Sequence, residues 1–195
     1  LFEAVNKINV KELDRADQRY HNFLMRDFKD AGQLLTEEDR HKLEKIDKEL
    51  ISLAIEFEEN IAEDKTELLF EEKQLKGITV NELDSLSKKE NKFIITMAYP
   101  HISAILENCS VRETREKVWK AFSNRATKKN PLILSRATIL RNKKAKLHKY
   151  RTWSEYRLQY RMAKSPENVK KMYDSLLPML KKKAEEEVAM LLNLD

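Results

Sequence analysis

Apolar residues recur at three- and four-residue steps along most of the chain, a spacing that predicts amphipathic helices. One apolar stripe covers 13–31 and a second covers 36–64. Gly32 lies between them, where a helix commonly ends, and Thr36 precedes three acidic residues, as an N-terminal cap commonly does. We therefore predict two helices that are separated at Gly32.

The spacing of apolar residues changes between residues 65 and 100. Short apolar runs at 68–70 and 93–97 predict two strands, and Tyr99-Pro100 closes the second run. We predict that the strands form one antiparallel β-hairpin inserted near 67–98. A short helix that begins at Thr79 or Asn81 is predicted between them.

Helical signals return in the second half of the chain. Four start signals, two of them capping boxes and two of them caps followed by proline, are Ser110–Glu113, Thr152–Glu155, Asn130-Pro131 and Ser165-Pro166. They predict helices over 111–126 and 131–148, one opening at Thr152, and a last helix from residue 166. Pro178 is expected to kink that last helix, because proline lacks the N–H donor and crowds the preceding turn.

These elements predict a mainly α fold. We expect antiparallel helical hairpins and a helical bundle, with the β-hairpin near 67–98 as an insertion. No repeat and no low-complexity linker divides the chain, so 1–195 is predicted to be a single helical region.

Composition excludes several classes of protein. Among 195 residues there are two glycines and one cysteine, too few for a glycine-rich phosphate loop, a disulfide or a multi-cysteine zinc site. The single Cys109 favours a reducing compartment, so we expect a cytoplasmic location. No apolar run approaches the roughly 18 residues that a membrane span needs.

Charge is distributed unevenly along the chain. Residues 1–90 hold 15 Lys/Arg and 23 Asp/Glu, whereas 128–164 holds 12 basic residues and one acid. Aromatic residues are interleaved with these bases, a pattern that nucleic-acid-binding modules also show. Because Trp153, Tyr156 and Tyr160 step by three and four, however, packing of one helix face explains them better.

Candidate catalytic residues are few. None of the four histidines lies in an HExxH pair, and Glu38-x-x-His41 is the nearest metal-ligand spacing. A single such pair in a capped first turn is better explained as an N-terminal acid and a surface histidine, and Cys109 as an inert thiol. The acidic pairs Glu58-Glu59 and Glu71-Glu72 are typical of solvated surface. No catalytic or metal-binding residue is therefore assigned, and the binding residues stay unknown.

The order of several short motifs is informative as a set. They are Asp14–Tyr20, Arg26–Gly32, Leu43–Leu50 with Leu53–Phe57 and Asn60, Leu75–Gly77, Tyr99-Pro100, Arg112–Lys117 with Ala121 and Arg125, Leu140-Arg141 with Lys144–Lys146 and Tyr150, and Arg161–Glu167. In this order they resemble the N-terminal portion of the thimet oligopeptidase and oligopeptidase A family of zinc metallopeptidases, which includes the peptidyl-dipeptidases. The resemblance covers nearly the whole chain.

The resemblance implies an elongated helical fold divided by a deep channel, with this segment as one wall. The family's zinc ligands and catalytic HExxH lie downstream, so it implies no catalytic, metal or cofactor site here and zinc in the parent protein. Its implied partners are the C-terminal catalytic part, which the basic stretch 128–164 would face, and short peptide substrates, with no membrane. The chain departs from the family at Lys149, where a helix-ending glycine is usual.

We therefore expect an N-terminal, non-catalytic segment of an oligopeptidase, inactive alone. The first residue is Leu1 and the last is Asp195, which suggests an excerpt of a longer protein. Two alternatives stay open: a basic helical nucleic-acid-binding module, and a helical scaffold or adaptor.

Overall fold

A computed structural model describes residues 1–193, and helices account for most of them. The helices are α1 (Phe2–Asn6), α2 (Arg15–Asp30), α3 (Glu37–Ala62), α4 (Val80–Asp84), α5 (Tyr99–Asn108), α6 (Arg112–Ser123), α7 (Asn130–Leu147), α8 (Trp153–Leu158) and α9 (Pro166–Leu192). Two single 3₁₀ turns cover Val10–Glu12 and Glu72–Leu75. The prediction of a mainly α fold is confirmed.

Most of the predicted helix starts are correct. The Thr36 hydroxyl accepts a hydrogen bond from the Asp39 amide at 3.2 Å, before α3. The side chains of Thr79, Thr152 and Ser165 likewise accept amides at the starts of α4, α8 and α9. Each satisfies one N–H that the helix itself leaves without an acceptor.

The capping box predicted at Ser110–Glu113 is wrong. The cap residue of α6 is Val111, which makes no side-chain cap hydrogen bond. The Ser110 hydroxyl instead donates to the Lys76 carbonyl at 3.0 Å, and its amide donates to the same oxygen at 2.8 Å. The Ser110 hydroxyl therefore makes a tertiary hydrogen bond in place of the helix-capping bond that the local pattern predicts.

The strands form a small antiparallel sheet with one strand more than predicted. Strand β1 (Glu67–Phe70) pairs with β3 (Lys92–Thr96), with Phe70 opposite Phe93. Strand β2 (Lys88–Lys89) pairs with the other edge of β3, which gives the order β1-β3-β2. Glu90 and Asn91 connect β2 to β3 with φ of 50° and 61°, the left-handed conformation that a two-residue hairpin turn requires.

Helix α5 is an element that the sequence patterns do not predict. Tyr99-Pro100, predicted to close a strand, begins this helix. Proline suits the first turn of a helix because the N–H that it lacks has no acceptor there. The strand itself ends at Thr96, so the predicted strand end is close, and the helix after it is the missing part.

The chain consists of two compact units, each with most of its contacts within itself. One combines Leu1–Leu50 with the segment from Thr138 onward, and the other is Ile51–Ala137. The expectation of a single region over 1–195 stays a prediction, and its last two positions, Leu194 and Asp195, lie outside the described residues.

The 51–137 unit has a continuous apolar core beneath the sheet. Its buried members are Phe70, Leu75, Ile78, Phe93, Ile95, Met97, Ile102, Ile105, Cys109 and Val118. Gly77, with φ of 100°, lets two segments cross at this core, because a Cβ there would lie 2.3 Å from the Asn108 carbonyl oxygen. Only glycine fits both the conformation and the approach.

The other unit packs α2, the first half of α3, the last part of α7, and α8. Leu43, Leu140, Ala145 and Tyr156 are buried there, each with at most 4% of its surface exposed. Lys144 on α7 forms an ion pair of 2.6 Å with Asp47 on α3. Helix α9 follows α8 and has no buried residue.

Candidate functional site

Glu38 and His41, whose spacing resembles that of metal ligands, form ion pairs with neighbouring side chains on α3. His41 is exposed and lies 3.9–4.0 Å from the carboxylates of Glu37 and Glu44, while Glu38 pairs with Lys42 at 2.7 Å. The Glu38-x-x-His41 spacing is thus part of a solvated ladder of charges on α3. Surface ladders of this kind contribute little individually.

Cys109 and Glu71 have simple structural explanations. Cys109 is buried, and its Sγ atom lies 3.4 Å from the Gln74 carbonyl, to which the thiol donates. Glu71 accepts a hydrogen bond from Lys73 at 2.8 Å, and this bond lowers the pKa of the Glu71 carboxyl. A carboxylate held in its charged form by a lysine is poorly suited to donate a proton.

A buried polar cluster in the first unit is the strongest candidate site, and no pattern in the sequence indicates it directly. Its centre is Tyr156 on α8, which is 4% exposed and donates its phenolic hydrogen to Asp30 at 3.0 Å. Burial, followed by the charge and hydrogen bond of Asp30, raises the pKa of the Tyr156 phenol well above its usual value. Tyr156 therefore serves as a hydrogen-bond donor and not as a base.

His148, at the end of α7, stacks on this tyrosine. The ring centroids of His148 and Tyr156 are 5.0 Å apart and the rings are nearly parallel, at 9°. The His148 Nε2 atom is buried without a hydrogen-bond partner, and burial lowers the pKa of the imidazole. Asp30 and Asp47 oppose that shift, and Lys144 and Lys29 reinforce it. The net effect favours the neutral form of the imidazole.

Tyr150 links the cluster to α2. Lys29 Nζ donates to the Tyr150 hydroxyl at 3.0 Å, and the Tyr150 hydroxyl donates in turn to the Gln159 side-chain carbonyl. The hydrogen bond with Tyr150 raises the pKa of Lys29 against the opposing effect of burial. This chain of hydrogen bonds fixes α8 and the preceding loop against α2.

A cleft of about 270 Å³ opens beside the cluster. It is lined by three arginines, two aspartates and two tyrosines: Arg26, Asp27, Asp30, Tyr156, Arg157, Tyr160 and Arg161. Arg26 is held by Asp27 at 2.9 Å, and its guanidinium lies over the rings of Phe23 and Tyr160. The side chains of Arg157 and Arg161 are not buried, so the cleft can accept a small polar or anionic group.

Some of the basic and aromatic residues of 128–164 take part in packing and ion pairs within the first unit. Tyr156 is buried, which confirms core packing for the central aromatic residue, whereas Tyr160 is 43% exposed. Lys144 pairs with Asp47, and Arg151 pairs with Glu155 at 2.7 Å. Two of its bases are therefore already neutralised within the unit.

Two motifs of the resemblance meet in the cluster. Lys29 and Asp30 belong to the motif 26–32, and Tyr150, which accepts the hydrogen bond from Lys29, belongs to the motif that begins at Leu140. In the 51–137 unit, Thr114 of the motif 112–117 donates a hydrogen bond of 2.8 Å from its hydroxyl to the carbonyl of Gln74, the residue just before the motif 75–77. Motif order was the one signal in the sequence that could have indicated these contacts.

Within residues 1–193, no group of three or more His, Cys, Asp or Glu side chains is placed to hold a metal ion. In the same part of the chain, no helix combines the length and the apolar character needed to cross a membrane.

Comparison with known proteins gives consistent matches. The model of peptidase family M3 matches residues 105–194. The chain is 32% identical to a thimet-like oligopeptidase of Dictyostelium discoideum over 90% of its own length and 26% of that relative. It is 34% identical to a probable thimet oligopeptidase of Arabidopsis thaliana over 75% of its length and 21% of that relative.

A bacterial relative extends the family M3 comparison. Oligopeptidase A of Haemophilus influenzae is 26% identical over 84% of this chain and 26% of that protein. The resemblance to the thimet oligopeptidase and oligopeptidase A family is thus confirmed, and the matches are consistent with an N-terminal portion. The chain spans about a quarter of the length of these relatives.

Proposed function

We propose that this chain is the N-terminal, non-catalytic region of an oligopeptidase of peptidase family M3. The observation that carries the proposal is the match of 90% of the chain to only 26% of a thimet-like oligopeptidase. In the proposal, 1–195 is one helical region of the larger protein, and the β-sheet near 67–98 is inserted in it.

In this proposal the chemistry belongs to the rest of the parent protein. The parent hydrolyses short peptides with a bound zinc ion, which activates water for attack on the peptide carbonyl. The 1–195 segment supplies one wall of the substrate channel. It limits access to short, unstructured peptides and contributes no ligand to the metal.

The contacts of the motif residues favour a structural role. Asp30, Asn60, Gly77 and Tyr150 each take part in packing or hydrogen bonding within one unit. Asn60, for example, donates to Asn130 at 3.0 Å, and Asn130 donates to the Phe57 carbonyl, which joins α3 to α7. Residues that match the family are thus engaged in holding helices together.

The partner in this proposal is the C-terminal catalytic part of the same protein. The basic stretch 128–164 would face acidic parts of that partner, and the location would be cytoplasmic. One of the relatives is named a probable cytosolic oligopeptidase A, from Arabidopsis thaliana.

A peptidase assay tests the proposal. The purified chain is incubated with zinc and a quenched fluorescent peptide, and the oligopeptidase A of Haemophilus influenzae is run beside it as the active control. We expect turnover by the control and none by the chain. Zinc-dependent cleavage by the pure chain, abolished by a chelator, would overturn the proposal.

Sequencing the encoding locus provides an independent test. We expect the reading frame to continue beyond Asp195 and to encode an HExxH motif, the arrangement that places two zinc ligands on one helix face. A frame that encodes no such motif would contradict the assignment to a parent metallopeptidase.

A further inference from the structure

The cleft beside Tyr156 lies wholly within the first unit. It is bounded by the last turn of α2 and by residues 156–161, which belong to α8 and the turn after it, and we call it the α8 cleft. Its volume of about 270 Å³ lies at the small end of the range for ligand sites, about 300–1,000 Å³. The α8 cleft therefore has room for a small group or for the end of a flexible chain, but not for a folded partner.

Two arginines of the α8 cleft have no acidic partner. Within residues 1–193, the guanidinium groups of Arg157 and Arg161 make no ion pair and no hydrogen bond. The backbone of Arg161 is held in place, because its amide donates to the Leu158 carbonyl at 2.9 Å and its carbonyl accepts the Lys164 amide at 3.0 Å. Two positioned guanidinium groups are the side chains that proteins most often use to bind an oxyanion.

The net charge of the α8 cleft favours an anion with a single charge. Arg26 and Asp27 neutralise each other through their ion pair of 2.9 Å. The remaining lining charges are those of Arg157 and Arg161 against that of Asp30. A carboxylate brings this set to neutrality, whereas a doubly charged phosphate would leave excess negative charge beside Asp30. The planar guanidinium also matches the planar carboxylate in shape.

The α8 cleft also offers an acceptor and a donor beside the two arginines. Asp30 accepts the Tyr156 phenol through Oδ1, and among the described residues no donor reaches its Oδ2 atom. In the same part of the chain the Tyr160 hydroxyl has no hydrogen-bond partner, and burial raises the pKa of its phenol, which keeps it a donor. An acceptor and a donor at this place suit the N–H and C=O of the peptide group that precedes a C-terminal carboxylate.

We propose that the α8 cleft binds the C-terminal carboxylate of a short peptide. Arg157 and Arg161 hold the carboxylate, and Asp30 accepts the N–H of the terminal residue. Tyr160 donates to the carbonyl that precedes this N–H. The carboxylate follows from the charges of the cleft, whereas the peptide as its source rests on the proposed function, in which the parent acts on short peptides.

A comparison of ligands tests the proposal on the unmodified chain. The isotope-labelled chain is titrated with N-acetyl-Ala-Ala, its C-terminal amide, acetate and phosphate at neutral pH and constant ionic strength, and nuclear magnetic resonance follows the backbone signals. We expect N-acetyl-Ala-Ala to shift the signals of 156–161 and to bind about 10-fold or more tightly than its amide, which lacks the charged oxygens. Acetate has no N–H for Asp30 and phosphate carries a second charge, so both should bind more weakly than the peptide.

Substitutions test the residues of the α8 cleft. Arg157→Gln and Arg161→Gln should each weaken binding of N-acetyl-Ala-Ala by about 10-fold, because each removes a charged donor to the carboxylate. Arg141→Gln is the matched control, since it removes the same charge from an exposed position on α7 in the same unit and should change the affinity by less than about 2-fold. Tyr160→Phe keeps the ring beside Arg26 and should weaken binding by about 3-fold or more. Circular dichroism checks that each variant keeps its helix content.

The outcomes separate this proposal from the proposed function. Equal affinity for the peptide acid and its amide, tighter binding of phosphate, or unchanged signals over 156–161 would overturn the carboxylate site. An equal effect of Arg141→Gln and Arg157→Gln would also overturn it. Each of these results leaves the assignment to a parent metallopeptidase as it is, because that assignment is tested by the peptidase assay and by the encoding locus.

Discussion

The phenolic hydroxyl of Tyr156 donates a hydrogen bond of 3.0 Å to the carboxylate of Asp30, a residue 126 positions earlier in the chain. This contact fastens α8 to the end of α2. Its donor is buried and its acceptor is charged, so the bond belongs to the stronger class of protein hydrogen bonds.

Removal of this donor should destabilise the chain. Tyr156→Phe keeps the ring that stacks on His148 but leaves Asp30 without the phenol, which should cost about 1–2 kcal/mol of unfolding free energy. Urea denaturation followed by circular dichroism measures it. Tyr20→Phe is the control, because Tyr20 is 62% exposed and should change stability by under about 0.5 kcal/mol. Equal stability of the two variants would show that the Asp30 contact contributes nothing.

The two glycines should respond differently to alanine. Gly77→Ala places its Cβ 2.3 Å from the Asn108 carbonyl oxygen, a backbone atom, at φ of 100°. Gly32→Ala, at φ of 82°, meets the Leu43 side chain at 2.8 Å, which can rotate away. We expect a loss of about 3 kcal/mol or more for Gly77→Ala and about 1–2 kcal/mol for Gly32→Ala. Thermal melts of both variants measure the difference, and the reverse order would contradict this explanation.

Lys149 occupies a position that suits glycine. It has φ of 65°, directly after α7, and the Lys149 and Tyr150 amides donate to the Lys146 and Ala145 carbonyls at 2.9 Å. This is the Schellman pattern, which most often has glycine at the left-handed position. Lys149→Gly should therefore stabilise the chain by about 0.5–1 kcal/mol.

A matched variant keeps the Lys149 test specific. Lys146→Gly removes a lysine from the last turn of the same helix, where glycine should cost up to about 1 kcal/mol. The two changes remove the same charge and differ in backbone conformation. Chemical denaturation of both variants measures the contrast, and a loss of stability in both would show that the left-handed turn carries no strain.

His148 should make stability depend on pH. Its folded pKa is lowered by burial from 6.5, so below pH 6.5 the unfolded chain binds a proton that the folded chain resists. The unfolding free energy should therefore fall as the pH drops from 6.5 toward the folded pKa, and the loss should end below that value.

The His148 contribution can be isolated by substitution. His148→Phe keeps a ring against Tyr156 and removes the titrating group. Below pH 6.5 the unfolding free energy of this variant should therefore fall less steeply with decreasing pH than that of the unmodified chain. The two slopes should differ by the equivalent of up to about one bound proton. The unmodified chain, measured in the same series of buffers, is the reference for this slope. Identical slopes for the chain and His148→Phe would assign the pH dependence to other groups.

Local patterns in the sequence predicted the elements where local contacts decide the conformation. Thr36 and Ser165 were identified as caps because a hydroxyl beside free amides bonds to them unless something else competes. At Ser110 the Lys76 carbonyl does compete, and that contact depends on the Gly77 crossing. The capping box at Ser110 was wrongly predicted because a tertiary contact, which a local sequence pattern does not indicate, binds the hydroxyl.

The polar cluster around Tyr156 could not be predicted from the sequence for the same reason, because its contacts are also tertiary. Tyr156 was predicted to face a core, which is correct, but its partner Asp30 lies on a helix more than 120 residues away. Nor does any local signal mark β2, whose two residues form a strand only because β3 lies beside them.

The lysines of β2 also govern how the sheet meets other molecules. An edge strand exposes peptide groups that a strand of another protein can join, which is one route to aggregation. Here one edge consists of Lys88 and Lys89, so an approaching copy meets a matching pair of positive charges. At this edge, repulsion between the lysines of two copies should keep one sheet from adding to another.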